Sequence, residues 1–171
     1  VAWPAALAAV SLCLTDADTP LYLHGTLDQS GARRWLKFHA GASACDEPGA
    51  AAFWLARASD LPTLPWDAMA LGTDDAPQVG ATLCVEVDGL ADELTAEMPL
   101  AASEPLALRL RGPGIAVDTQ ATRSLVVAGL SRDMWSRRGA MVESFPRGFD
   151  LILTCGPRLA ALPRTTRVEL A

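Results

Sequence analysis

The chain has 171 residues, of which 50% are hydrophobic and 20% are charged, and its formal net charge at pH 7 is −6. A disordered chain needs low hydrophobicity and many charged residues, so this composition excludes disorder and provides the core of one ordinary domain. The negative charge argues against a dedicated nucleic-acid-binding protein, because the surface of such a protein is usually basic.

The first 71 residues predict a succession of helices and short strands. In chain order, we expect a helix over residues 4–15, a strand over 21–24, a helix over 30–39, a strand over 51–56 and a short helix over 61–71. Pro4 suits the first turn of a helix, and Ser30 is a suitable cap for the second helix. We expect Ala32, Trp35 and Phe38 to share one face of that helix and to pack in the core.

The rest of the chain predicts a loop, five strands and one helix. In chain order, these are a loop over residues 72–82, strands over 83–88 and 106–111, a helix over 131–142, and strands over 149–154, 159–162 and 168–170. We expect the strand over 168–170 to complete the same sheet as the other strands. Because strands alternate with helices, the pattern favours an α/β fold, a three-layer α/β/α domain around a mixed sheet.

The sequence contains no recognisable set of catalytic or nucleotide-binding residues. A catalytic triad needs a histidine beside a nucleophile, and the chain has two histidines, His24 and His39. Neither has an obvious acidic partner nearby in sequence and no Gly-x-Ser-x-Gly motif occurs, so structural or surface histidines are the better interpretation. The Gly-Pro-Gly-Ile segment at 112–115 is too short for a dinucleotide fingerprint, and no P-loop motif is present.

Acidic residues give a weak indication of a metal site. Oxygen ligands for a hard cation could come from two aspartate pairs, Asp16 with Asp18 and Asp74 with Asp75. Acidic pairs in loops are more often solvated turn residues.

The number of cysteines indicates the cellular compartment of the protein. There are four of them: Cys13, Cys45, Cys84 and Cys155. They lack the spacing of a zinc site, and we expect Cys13 and Cys84 to be small buried apolar residues. So few cysteines, and no segment long enough to span a bilayer, indicate the reducing cytoplasm and no membrane partner.

The charge is unevenly distributed along the chain. Residues 1–100 have four basic and fourteen acidic side chains, whereas residues 101–171 have ten arginines and six acidic side chains. Within the second part, the most distinctive polar segment supplies a candidate anion-binding or interface site: Arg164, Thr165, Thr166 and Arg167. In an extended segment alternate residues face opposite sides, so Arg164 and Arg167 would be divided between two faces.

Segments spread along the chain form a recognisable pattern. Residues 145–156 read Phe-Pro-Arg-Gly-Phe-Asp-Leu-Ile-Leu-Thr-Cys-Gly, and residues 162–168 read Leu-Pro-Arg-Thr-Thr-Arg-Val. Further segments are Asp-Thr-Pro at 18–20, Phe-His at 38–39, the glycine- and threonine-containing loop at 72–82, and Leu-Arg-Leu-Arg-Gly-Pro-Gly-Ile at 108–115. In this order, over essentially the whole chain, they resemble the PhnH family, the H subunit of the bacterial carbon–phosphorus lyase core complex.

The resemblance implies a non-catalytic subunit of phosphonate catabolism that is cytoplasmic and requires no cofactor. It implies a homodimer that assembles with the G, I and J subunits. With the G, I and L components, such a subunit is needed to form ribose 1-methylphosphonate 5-triphosphate. The implied fold is similar to a reduced pyridoxal-phosphate-dependent transferase, in a single domain (residues 1–171) that lacks the family's N-terminal segment.

The alternative is that the chain is itself an enzyme or a binding protein. Its arginine-rich C-terminal part would then bind a nucleotide, a phosphonate or pyridoxal phosphate. Pyridoxal phosphate is normally held by a lysine Schiff base, and Lys37 is the only lysine. Because Lys37 lies inside a predicted helix beside Phe38, with no glycine-rich loop after it, we expect no such bond.

Overall fold

The structure, a computed structural model, describes residues 3–92, 104–115 and 123–170. These residues contain three α-helices and nine β-strands. The helices are α1 (Ala5–Leu14), α2 (Ser30–Ala40) and α3 (Arg132–Val142). The strands are β1 (Leu21–Leu23), β2 (Phe53–Arg57), β3 (Thr82–Glu86), β4 (Gly89–Ala91), β5 (Leu106–Arg111), β6 (Arg123–Ala128), β7 (Asp150–Cys155), β8 (Arg158–Leu162) and β9 (Arg167–Leu170).

A five-stranded mixed sheet with the strand order β1-β2-β3-β7-β8 forms the centre of the fold. Its first four strands are parallel, and β8 returns antiparallel to β7. The middle residues of β2 and β3 are apolar and buried on both faces, as expected of parallel strands between two layers. Helices α1 and α2 cover one face, where Leu7 and Leu36 belong to the same buried cluster as Leu55 and Cys84.

The opposite face packs against a second, antiparallel sheet with the order β4-β6-β5-β9 and against α3. Leu108 of β5, Val127 of β6 and Met134 of α3 share one buried cluster. That cluster also contains Trp54 and Leu83 of the first sheet. This layer therefore combines a sheet with a helix, whereas the three-layer prediction expected helices here.

The mixed α/β fold with a mixed sheet is confirmed. The last predicted strand corresponds to β9, but it belongs to the second sheet, and β4 and β6 have no counterpart in the prediction. The predicted helix over residues 61–71 is wrong. The chain forms 3-10 turns there, Ala58–Thr63 and Trp66–Ala68, because Pro62 and Pro65 lack the N–H groups that an α-helix requires.

The predicted cap and buried face of α2 are partly wrong. Ser30 is the first helical residue, and Gln29 precedes it without a side-chain cap hydrogen bond. Ala32 is buried together with Leu36, whereas Phe38 is 82% exposed. Ala32 and Leu36 are four residues apart and share a face. Phe38 lies two residues beyond Leu36, about 200° around the helix axis, and therefore points away from the core.

The four cysteines are free thiols that differ in burial. Cys84 is buried as expected, and burial raises the pKa of its thiol to about 12. Cys13 is exposed on α1, so its predicted burial is wrong. Across the described residues, the helices are too short or too polar to cross a membrane.

Candidate functional site

The candidate residues 164–167 lie where the chain turns from β8 into β9. The backbone N–H of Thr166 donates to the carbonyl oxygen of Pro163 at 2.8 Å, so the segment turns instead of continuing as an extended strand. The alternation of faces expected for a strand therefore does not apply to it.

All four nitrogens of Arg164 donate hydrogen bonds to protein oxygens. Its backbone N–H and its Nε donate to Oδ1 of Asp150 at 2.7 and 3.3 Å, and its Nη2 donates to Oδ2 at 2.7 Å. Its Nη1 donates to the carbonyl oxygen of Pro77 at 2.5 Å. Only 15% of the side chain is exposed. Arg164 thus connects the β8–β9 turn to the start of β7 and to the loop before β3.

The loop before β3 fits closely against Arg164 at Gly80. A Cβ atom here would lie 2.5 Å from the carbonyl oxygen of Gly148 and 2.7 Å from Nη1 of Arg164. We expect Gly80→Ala to lower the free energy of unfolding by about 1–3 kcal/mol, because the backbone of Gly148 must shift to admit the methyl group. Urea unfolding followed by circular dichroism measures this change.

Gly139 of α3 provides the matched control. A Cβ there meets no atom within 4 Å, so Gly139→Ala should stabilise the helix by up to about 1 kcal/mol. If Gly80→Ala proved as stable as the parent protein, the close fit between the loop and Arg164 would be contradicted.

A second arginine, Arg138 of α3, bonds to the same turn and is 2% exposed. Its Nη1 donates to the carbonyl oxygen of Phe149 at 3.3 Å. Its Nη2 donates to the carbonyl oxygens of Leu162 at 3.1 Å and Pro163 at 2.7 Å. Its Nε has no hydrogen-bond partner among the described residues. The guanidinium therefore links the end of β8 to the residue that precedes β7.

Asp150 supplies negative charge to both arginines. Burial alone would raise the pKa of its carboxyl, but the hydrogen bonds from Arg164 and the charges of Arg164 and Arg138 together lower that pKa below its ordinary value of 3.8. Burial lowers the pKa of Arg138, and the charge of Asp150 offsets part of this effect. We refer to Arg138, Asp150 and Arg164 as the ionic cluster.

The four candidate residues have different surroundings. Arg164 belongs to the ionic cluster, Thr165 is half-buried, and Thr166 is buried. Arg167 is exposed and pairs with Glu143 at 3.8 Å. Sequence reasoning missed Arg138, although its position four residues after the buried Met134 places both on one face of α3.

A cleft of about 260 Å³ lies between the first turn of α3 and the 3-10 turns after β2. Its lining includes Trp66, Ser131, Asp133, Met134 and Arg137. Ser131 caps α3 by accepting the N–H of Met134 at 3.3 Å. The guanidinium of Arg137 lies 5.3 Å from the centre of the Trp66 ring. The cleft offers a cation, a carboxylate and an apolar wall for binding, and the residues that line it include no histidine or cysteine.

The carboxyl ends of β3 and β7 form the edge at which α/β proteins commonly bind ligands. Here Glu86 accepts the hydroxyl of Thr154 at 2.5 Å and the N–H of Gly156 at 3.3 Å. Burial raises the pKa of Glu86, and these hydrogen bonds offset part of the rise. Internal contacts therefore occupy both carboxylate oxygens.

The two histidines have different environments. Nε2 of the buried His24 lies 3.1 Å from the carbonyl oxygen of Asp60 and 3.2 Å from Oγ1 of Thr63. Because a carbonyl only accepts, Nε2 carries the proton and cannot act as a base toward Thr63. His39 is exposed, and its ring lies 5.3 Å from that of Trp35.

The two aspartate pairs lie in turns, as expected if they are solvated turn residues. Oδ1 of Asp16 accepts the N–H of Asp18 at 3.0 Å and the hydroxyl of Thr19 at 2.6 Å, and these bonds lower the pKa of Asp16. Asp74 pairs with Arg147 at 3.3 Å. In the part of the chain that the structure describes, no group of three His, Cys, Asp or Glu side chains is placed to hold a metal ion.

Lys37, the one possible Schiff-base lysine, lies on the exposed side of α2. Its Nζ donates to the carbonyl oxygen of Gly41 and to Oγ of Ser43, both at 3.1 Å. These bonds hold the amine against the C-terminal end of the helix, where a cation is favourable.

The chain is similar to bacterial phosphonate metabolism proteins over almost its whole length. A family model described as "Bacterial phosphonate metabolism protein (PhnH)" matches residues 2–169. A Rhizobium meliloti (strain 1021) protein named alpha-D-ribose 1-methylphosphonate 5-triphosphate synthase subunit PhnH is 37% identical over an alignment of 169 positions, which covers 94% of this chain and 72% of that protein. A Stutzerimonas stutzeri protein named putative C-P lyase subunit protein HtxG is 36% identical over 100 residues, which are 58% of this chain and 43% of that protein.

Proposed function

The chain belongs to the PhnH family of bacterial phosphonate metabolism proteins, and we propose that it is a non-catalytic subunit of the carbon–phosphorus lyase core complex. The observation that carries the proposal is the family match over residues 2–169, together with 37% identity to a synthase subunit. In this role the chain is needed, with the G, I and L components, to form ribose 1-methylphosphonate 5-triphosphate.

Internal bonding of the polar side chains supports a non-catalytic role. The donors of Arg164 are bonded to Asp150 and Pro77, and those of Arg138 face backbone carbonyls. His24 donates to a backbone carbonyl, and Lys37 is held against the end of its own helix. Groups bonded in this way stabilise the fold and are not free to act on a substrate.

We also propose that the chain forms a homodimer in the cytoplasm and assembles with the G, I and J subunits. The names of both relatives, each a subunit of a larger enzyme, support a multi-subunit assembly. The family resemblance further suggests that the fold is a reduced form of the pyridoxal-phosphate-dependent transferase fold, which the mixed α/β architecture permits.

A complementation and assembly experiment tests the proposed function. A bacterium that lacks its own H subunit should grow with a phosphonate as its sole phosphorus source only when this chain is expressed. The purified chain should elute together with the G, I and J subunits in size-exclusion chromatography. Failure of the expressed chain to restore growth, or separate elution from the three subunits, would contradict the proposal.

The alternative role as a small-molecule enzyme or binder has one structural observation in its favour, the cleft beside Trp66 and Arg137. Calorimetric titration of the purified chain with ATP, methylphosphonate and pyridoxal phosphate separates the two roles. A non-catalytic subunit should bind none of them on its own, whereas tight binding that Arg137→Ala abolishes would favour the alternative.

A further inference from the structure

The outer side of α2 carries an aromatic cluster with an exposed end. Phe38 is the most exposed large apolar side chain among the described residues. Its ring centre lies 4.9 Å from that of His39, which lies 5.3 Å from that of Trp35. Trp35 in turn lies 5.6 Å from Trp3. Trp3 and Trp35 are half-buried against the core, so we call only the exposed Phe38 and His39 the aromatic surface.

The contacts within the aromatic surface reduce the entropy cost of binding a partner. Rings that already pack against one another lose little conformational freedom when a partner covers them. Aromatic side chains also dominate the binding energy of many protein interfaces. Phe38 has no packing role in the core, because its side chain is 82% exposed.

The helix that presents these rings is basic. It contains Arg33, Arg34 and Lys37, three of the four basic residues within residues 1–100, and no acidic residue. Arg33 is already paired with Asp28 and Asp46 at 2.6 and 2.8 Å. Arg34 is exposed and makes no hydrogen bond or ion pair with any other described residue.

Resting on the proposed function, we propose that the exposed face of α2 docks onto an acidic surface of another subunit of the complex. The ring of Phe38 would enter an apolar pocket, and carboxylates of the partner would face Arg34. Charge complementarity supports this occupant. Outside α2, residues 1–100 contain one basic residue, Arg57, and fourteen acidic ones, so α2 supplies most of the positive charge of this part of the sequence and is where an acidic partner would be attracted.

A second copy of this chain is a poorer occupant of the same face. A two-fold symmetric interface places the same patch of both subunits near the axis, so Arg34 and Lys37 of one copy would approach those of the other. Two like-charged patches repel, which disfavours an interface centred on α2.

Binding of the G, I and J subunits by exposed-residue variants tests the proposal. We expect Phe38→Ala and Arg34→Glu each to weaken binding at least about tenfold, and Arg34→Glu to reduce its salt dependence. The matched controls are Phe145→Ala, which removes a 62% exposed phenylalanine, and Arg132→Glu, which reverses an exposed arginine of α3. The controls should bind within about twofold of the parent protein.

The possible outcomes separate this inference from the proposed function. If the parent protein does not bind the three subunits, the proposed function is overturned. If the parent protein binds and all four variants bind equally well, the docking role of α2 is overturned while the proposed function stands. Circular dichroism spectra that match the parent protein show that the variants are folded.

Two other occupants are tested with the same variants. Vesicles of phosphatidylcholine and phosphatidylserine probe a membrane, and light scattering probes a second copy. If Phe38→Ala abolished vesicle binding or dissociated a homodimer while leaving subunit binding intact, the face would serve that occupant instead and the proposal would be wrong.

Discussion

Replacing Arg138 with alanine is expected to lower the free energy of unfolding by about 3–5 kcal/mol. The guanidinium is buried and donates to the carbonyl oxygens of Phe149, Leu162 and Pro163. Its removal leaves those acceptors without their donors and opens a cavity in the interior, and both effects are costly. For a chain of this size the melting temperature should fall by roughly 10 °C, which differential scanning calorimetry measures.

The neighbouring residue in α3 provides the control. Arg137 is exposed, and its substitution by alanine removes a contact with the Trp66 ring that is worth at most about 1 kcal/mol. If Arg138→Ala fails to fold, Arg138→Lys keeps the charge but loses the forked geometry, and it should show a smaller loss of stability. Equal stability of Arg138→Ala and Arg137→Ala would contradict the structural role of the buried guanidinium.

The helices and most strands could be predicted because their patterns are local. The alanine- and leucine-rich run of α1 and the apolar run of β7 each show their type within a few residues. The second sheet could not be predicted, because the alternating residues of β5 fit any half-buried strand and do not specify which sheet it joins. The short apolar run of β6 resembles a buried helical segment as much as a strand.

The ionic cluster was only partly accessible to sequence reasoning. Arg164 is noticeable because it follows an apolar strand directly. Asp150 gives no sign of its partner fourteen residues later, because the sequence does not record how the turn folds back. Arg138 shares a face of α3 with the apolar Met134, but an arginine at that position resembles a surface residue until the packing of the helix is known.

Asp150→Asn is expected to destabilise the protein by about 1–3 kcal/mol at neutral pH, because the side chain of Asp150 is 34% exposed and solvent screens part of its charge. The carboxylate accepts three hydrogen bonds from Arg164 and offsets the charge of the buried Arg138. Asparagine is similar in size but neutral, so two cations would remain in the cluster without their counter-charge. Urea unfolding of the parent protein and the variant measures the difference in unfolding free energy.

The same variant should reveal the titration of Asp150. The folded-state pKa of the carboxyl lies below its ordinary value of 3.8, so the unfolded chain binds the proton more readily and acid favours unfolding. The contribution of Asp150 is therefore complete above about pH 5 and is lost as the pH falls through 3.8 toward the folded-state value. Asparagine does not titrate. The stability difference between the two proteins should thus be largest at neutral pH and shrink toward about pH 3.

Asp74→Asn is the matched control, because Asp74 also pairs with an arginine but at the surface. Its carboxylate lies 3.3 Å from Arg147, with the two side chains 75% and 53% exposed. Solvent weakens such a pair, so Asp74→Asn should change stability by less than about 1 kcal/mol. A stability difference for Asp150→Asn that stayed constant between neutral and acid pH would show that its carboxylate charge does not stabilise the cluster. In that event the loss would come from altered hydrogen bonding alone, and the lowered pKa of Asp150 would contribute nothing to the acid stability of the fold.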